Sequence, residues 1–246
     1  MATERRDAKS PFTRPGFIIA TIVIALVAVT SGCVDQADHH PKDAAPPSTS
    51  SSPSSAASSP TASTPSEGAS ICGLSGEVMS GTLPTAPNAT WAYQVVTAYP
   101  TSPEYGPADT TPGGVRFCFQ RSPEGALFMA ANALVQGSDP AIAEEWVNYV
   151  VAEGPHRTTL IADIGRGSSG DGTRAAIVGF RLLAYDGESA RVDLAARITA
   201  QGRTVTVSGV YELVWQGGDW KISADIAQPL NIAQIPDTLG YVEWGD

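Results

Sequence analysis

Apolar residues divide this chain into stretches with different periods. Phe17 to Val29 reads Phe-Ile-Ile-Ala-Thr-Ile-Val-Ile-Ala-Leu-Val-Ala-Val without a charge. Taken as residues 17–34, the stretch sits near the lower end of the roughly 17–25 residues that span a bilayer as a helix. Residues 35–70 lose all apolar period and become Ser, Pro, Thr and Ala with scattered charges. From Ser122 the spacing is helical. Ser122 is a good N-cap, Pro123 suits the first helical position and Glu124 suits the dipole. Ala126, Leu127, Ala130, Ala131 and Leu134 follow on one face, and Gly137 ends the segment. A second helix is expected from Asp139-Pro140, carrying Ile142, Trp146, Tyr149 and Val150 up to the break at Gly154-Pro155. His156 to Ile164 reads as a short third helix.

At Arg174 the period changes to two. Ala176, Val178, Phe180 and Leu182 are expected on one strand face. After Asp186-Gly187, Ala190, Val192, Leu194, Ala196 and Ile198 alternate with Arg191, Asp193, Ala195, Arg197 and Thr199. Gln201-Gly202 turns into Val205, Val207, Gly209, Tyr211, Leu213 and Trp215. Gly217-Gly218 turns again into Trp220, Ile222, Ala224 and Ile226. Gly179 and Gly209 are expected at bulges or bends. Upstream, Thr90–Val96 and Val115–Phe119 read as strands. Tyr99–Gly114, with Pro100, Pro103, Pro107 and Pro112, reads as a long loop and the first surface to probe for a partner. Helices followed by consecutive antiparallel strands give an α+β fold, with helices packed on one face of a curved antiparallel sheet.

Charge adds an address. The chain has 246 residues and a net charge of −10. Arg5, Arg6, Lys9 and Arg14 make residues 1–16 net basic, whereas the remainder is acidic. Basic residues before an apolar stretch place residues 1–16 in the cytoplasm and everything after residue 34 outside. The expected organisation is a cytoplasmic basic tail (1–16), a transmembrane anchor or lipoprotein signal (17–34), a disordered Ser/Pro/Thr-rich linker (35–70) and an extracytoplasmic α+β domain (71–246). In the lipoprotein alternative Cys33, after Thr30-Ser31-Gly32, is the lipidated residue. A released, secreted form is the third reading. The linker has too few apolar residues to repay ordering, and its flexible reach is about 30–35 Å. An acidic outer portion argues against direct nucleic-acid binding, which needs clustered Lys and Arg.

Cys72 and Cys118 are the two cysteines of the outer domain. Outside the cytoplasm such a pair is expected as a disulfide. It would close a loop of about 46 residues, worth about 3–4 kcal/mol on the chain-entropy model. Two separate buried thiols are the alternative.

Few residues suggest chemistry. His156 is the one histidine of residues 71–246, and His39-His40 in the linker has no third ligand nearby in sequence. Asp193, Glu212 and Asp219 alternate with apolar residues, as a solvated sheet face would. The candidate inner faces are Val, Leu, Ile and Ala, which supports no acid–base pair. Gly165-Arg-Gly-Ser-Ser-Gly170 lacks the Lys-Ser/Thr ending and the strand-to-helix setting of a phosphate loop, and Ser168 has no candidate base. No catalytic residue, cofactor or metal ligand is expected.

The strand, the Gly-Gly turn and the Asp219-Trp220-Lys221 that follows resemble the cone-shaped nuclear-transport-factor-2-like (cystatin-like) superfamily. Pro11-Phe-Thr-Arg-Pro-Gly-Phe17, Ile71-Cys-Gly-Leu74, Cys118–Phe128, Val151–Pro155, Val214–Lys221 and the tail around Tyr241 to Gly245 resemble an uncharacterised actinobacterial single-pass membrane protein family. That resemblance implies one anchor, no assigned enzymatic residues and genes near conjugative elements. A type IV secretion assembly factor with one anchor and this outer fold is a structural analogue. The expectation is a membrane-tethered interaction or scaffold protein with protein partners or self-association, in the setting of conjugative DNA transfer. The alternative is a binding module for a small apolar ligand between helices and sheet.

Overall fold

Ser122 opens the central helix as its sequence predicts. Its backbone is extended, and its hydroxyl accepts from the Gly125 N–H at 3.0 Å. Pro123 follows, and helix α1 runs Pro123–Gln136 before Gly137. Nearly all of α1 is buried, as expected of a helix covered on more than one side. Gly125 permits the tight approach at its start, where a Cβ would lie 2.0 Å from the Gln120 carbonyl oxygen.

The computed structural model describes residues 70–164 and 173–246. The basic tail, the apolar segment 17–34 with Cys33, His39-His40 and the Gly165–Gly170 stretch with Ser168 lie outside the described residues. Within the described residues, no helix is long and apolar enough to cross a membrane.

Before α1 come strands β1 (Thr90–Gln94), β2 (Thr97–Thr101), β3 (Asp109–Thr110) and β4 (Arg116–Phe117). Helices α2 (Ala143–Val150) and α3 (Arg157–Ile164) follow α1, and then strands β5 (Arg174–Tyr185), β6 (Ser189–Ala200), β7 (Arg203–Gln216), β8 (Asp219–Ile222), β9 (Leu230–Ile235) and β10 (Val242–Glu243). The main sheet runs β10-β5-β6-β7, all antiparallel, with β8 on one half of β7 and β9 on the other. It is curved and unclosed. Helix α1 covers one face, touching β5, β6 and β8, while α2 packs on β8. The core joins Leu127, Phe128 and Ala131 of α1 to Phe180, Leu194, Val192 and Leu213 of the sheet. The fold is therefore α+β, as the periodicities require.

Several expectations need correction. The segment Tyr99–Gly114 is no unstructured loop. Its start lies in β2, which pairs with β1 through the Val95-Val96 turn, Ser102 bridges Gly106, and Asp109-Thr110 pairs with β4. Strand β4 is shorter than Val115–Phe119 because Cys118 adopts φ 68 and turns the chain out of the ladder. Helix α2 starts at Ala143; Asp139 instead caps a turn by accepting from the Ala141 N–H.

Strand β5 has register shifts between Ile177 and Gly179 and between Leu182 and Ala184. Each shift moves the following residues to the other face. Ile177 therefore joins Phe180 in the core, and Val178 does not. Gly179 sits at the first shift, as expected. Gly209 sits in unbroken register, opposite Leu194 on one side and Ile232 on the other. The last expected strand ends early at Ile222, and Ile226 is exposed.

Beyond β2 and β3, two further strands have no counterpart in the sequence reading. β9 pairs with β7, and β10 pairs with β5 at the opposite edge. The connecting residues 236–241 must cross four strand spacings of about 4.8 Å, close to the full reach of six residues. They cross the sheet on the face away from α1, where Tyr241 lies 3.2 Å from the space a Gly179 side chain would need. Glycine is required there chiefly by β10, whose Val242 carbonyl oxygen would lie 2.9 Å from a Cβ. Beyond it, Trp244 turns inward and packs edge-on against Trp91, Phe128 and Phe180.

Candidate functional site

Cys72 and Cys118 form a disulfide, with Cα atoms 6.0 Å apart and a sequence separation of 46. It ties the leading segment to the end of β4, and Ile71 adds a backbone bond to Gly218 at 2.8 Å. The start of the domain is thus fastened to the β7–β8 hairpin.

That hairpin holds a buried carboxylate with four donors. Asp219 is fully buried. The turn at Cys118 aims two successive backbone N–H groups at its carboxylate, Cys118 at 2.9 Å and Phe119 at 2.8 Å. The Tyr149 hydroxyl donates at 2.7 Å and the Trp220 N–H at 3.0 Å. Burial pushes the Asp219 carboxyl above its ordinary range, against the Phe119 N–H, Tyr149 hydroxyl, Cys118 N–H and Lys221 charge, which pull it down. Lys221 donates to the Tyr149 carbonyl at 2.9 Å and stands over its ring. Burial lowers the Lys221 amine to about 8, opposed by the charge of Asp219. Tyr149 is pushed up by burial and then by the neighbouring Asp219. With both oxygens saturated by donors, Asp219 has no lone pair aimed at a cavity. It works as a knot joining β4, α2 and β8.

A second knot lies on the sheet face away from α1. Asp193, also fully buried, accepts from Ser208 at 2.6 Å and from Tyr241 at 2.8 Å. Arg181 reaches the same carboxylate with Nε at 3.1 Å, and its Nη2 also donates to the Tyr241 hydroxyl at 3.0 Å. The hydrogen bond to Asp193 raises the Arg181 guanidinium, with burial opposing. The strap residue Tyr241 thus latches the crossing segment to β5, β6 and β7. The reading of Asp193 and Asp219 as solvated is overturned for both. Glu212 alone of the three keeps a partly open position, paired with Arg191 at 2.7 Å.

Arg116 forms a third buried arrangement. Its guanidinium lies 3.7 Å over the Tyr99 ring, and donates to Asn132 and to Gln94, each at 2.7 Å. Its own backbone is held at both ends by the Gln136 amide. Burial lowers the guanidinium to about 10. Two polar residues within α1, Asn132 and Gln136, therefore hold β4 against the helix.

The void beside Arg116, Phe119, Met129, Trp146 and Trp220 holds about 10 Å³. A shallow groove of about 460 Å³ runs along Pro140, Ile142, Glu144, Glu145 and Asn148 on the outside of α2. Among the described residues, no group of three His, Cys, Asp or Glu could hold a metal ion. His156 stands just before α3, its N–H bonded to the Ala224 carbonyl.

Of the residues singled out from sequence, the structure joins Cys72 to Cys118 and converts Asp193 and Asp219 into anchors. It adds Tyr149, Arg181, Arg116 and Tyr241, which no local motif marks. Their partners lie 12 to 70 residues away, so only the folded register brings them together.

Fold and polar knots together define a disulfide-stapled α+β domain whose sheet is covered by one helix on one face and crossed by a strap on the other. The chain belongs to the family described as a domain of unknown function (DUF8175), which matches residues 51–243. No curated protein and no solved structure matches the chain.

Proposed function

We propose that this chain is a membrane-tethered interaction protein whose folded domain stands outside the cytoplasm and engages other proteins through its surface. The observation that carries this reading is the small void beneath α1 and α2. Small-molecule sites are clefts of roughly 300–1,000 Å³, whereas the void beside Arg116, Met129 and Trp220 holds about 10 Å³. The buried carboxylates are spent on internal donors. What the domain offers a partner is its outside.

The Cys72–Cys118 disulfide supports an oxidising compartment. The basic residues before the apolar stretch 17–34 support an anchor with the main domain outside. Lipidation at Cys33 is the competing means of attachment. The order of helices and antiparallel strands supports a nuclear-transport-factor-2-like cone, and with it a scaffold role in conjugative DNA transfer. That last step rests on fold analogy.

Crosslinking in intact cells followed by purification of the full chain tests the reading. Membrane proteins joined to residues 71–246 are expected. A chain recovered from membranes without a crosslinked partner would count decisively against it.

A further inference from the structure

The free edge of β9 is built to receive a strand. Among the described residues, β9 is paired on one side only, with Thr206–Tyr211 of β7. The ladder alternation can be read from a single bond. The Glu212 N–H donates to the Pro229 carbonyl at 2.8 Å, so Pro229 and the residues two and four further on face β7. In an antiparallel ladder the intervening residues turn their N–H and C=O groups the other way. The backbones of Leu230, Ile232 and Gln234 therefore point out of the sheet edge.

Natural edges are protected by charge, proline, bulges or cover. This one has no charged residue from Ile226 to Pro236, and its register with β7 is unbroken. Its prolines lie at the two ends, Pro229 and Pro236, and leave six residues clear between them.

We propose that β9 pairs antiparallel with β9 of a second copy of this chain, about a two-fold axis at Ile232. This deepens the interaction reading above and rests on it. In that register Ile232 faces Ile232 of the second copy, and Leu230 faces Gln234. Every outward N–H and C=O of the two strands finds one partner. The next pair would need an N–H from Pro236, which has none, so the ladder stops.

An isologous edge consumed by its own copy closes at two. Charge at the edge does not oppose this choice. Two identical acidic chains repel wherever charges meet, and this edge brings none together. The Pro-rich stretch 35–69 is a poor competitor, because it cannot supply a continuous ladder of donors. A six-residue ladder is short, so pairing depends on concentration. Confinement of tethered copies to one surface raises it.

The test is the mass of the full chain in detergent solution, by sedimentation, across a range of concentrations. The wild type is expected to move from one chain to two as concentration rises. Leu230, Ile232 and Gln234 amides should gain exchange protection over the same range. Asn231 and Ala233 are exposed on β9 and would sit opposite each other across the axis. The double variant Asn231→Glu/Ala233→Glu sets like charges opposite and should stay a single chain with unchanged circular dichroism. So should Asn231→Lys/Ala233→Lys, and mixing the two variants should restore a two-chain mass. A wild type that remains one chain at every concentration overturns the proposal. So does a dimer that both variants leave intact, or another protein's strand found on β9. A monomer that still crosslinks to membrane proteins in cells overturns the pairing alone and leaves the interaction reading standing.

Discussion

Asp219 accepts from three backbone N–H groups and one hydroxyl in a fully buried position. Removing a charged acceptor there leaves several donors unsatisfied. Asp219→Ala should therefore cost about 2–4 kcal/mol, read from urea unfolding. Asp219→Asn should not rescue it, because one amide group would point a donor at donors. Lys221 makes a prediction in pH. Its amine is lowered from 10.5 to about 8 in the folded state. Between those values the unfolded chain binds more protons than the folded one, so stability rises with pH across that window. Below about 8 the cost of holding the charge is fully present. Unfolding midpoints measured from pH 7.5 to 10 should climb, and Lys221→Met should flatten the climb. None of this was legible in Asp-Trp-Lys as a string. An aspartate after a glycine turn looks solvated until β4, 100 residues earlier in the chain, is brought over it.

At the scale of elements, what the sequence reveals depends on how far each residue's partner lies. Strands β6 and β7 pair in register from Ser189↔Val214 to Ala200↔Arg203, and their alternation is plain in sequence because each neighbour is a turn away. Helix α1 is equally plain from its cap and spacing. β9 hides because Leu-Asn-Ile-Ala-Gln-Ile lies between two prolines with no turn signal to its partner. β10 hides because two residues carry no period. Asp193 reads as exposed because its cover, Tyr241, arrives 48 residues later across the sheet.

The β1–β2 hairpin carries a local misfit. Val95 turns at φ 56, which is costly for a β-branched residue. Val95→Asn suits that conformation and should raise stability by about 1 kcal/mol, seen as a higher unfolding midpoint. The disulfide is a larger element-scale term. Joining residues 72 and 118, it should be worth about 3–4 kcal/mol, and unfolding with and without reductant measures it.

The whole molecule divides its two sheet faces between different tasks. One is spent on α1 and the apolar core. The other is crossed by a strap latched through Tyr241 to Arg181 and Asp193. The void beside Arg116, Met129 and Trp220, at about 10 Å³, is too small for a ligand of ordinary size. Its first described residues are fastened beside the β7–β8 turn, so whatever precedes residue 70 departs from that end. We propose that this domain, tethered outside the cytoplasm, meets proteins through its surface, and crosslinking of the full chain in intact cells with mass spectrometry of the joined peptides decides it. Links from residues 71–246 to membrane proteins or to a second copy are expected. Recovery of the chain from membranes with links only inside itself would overturn the proposal.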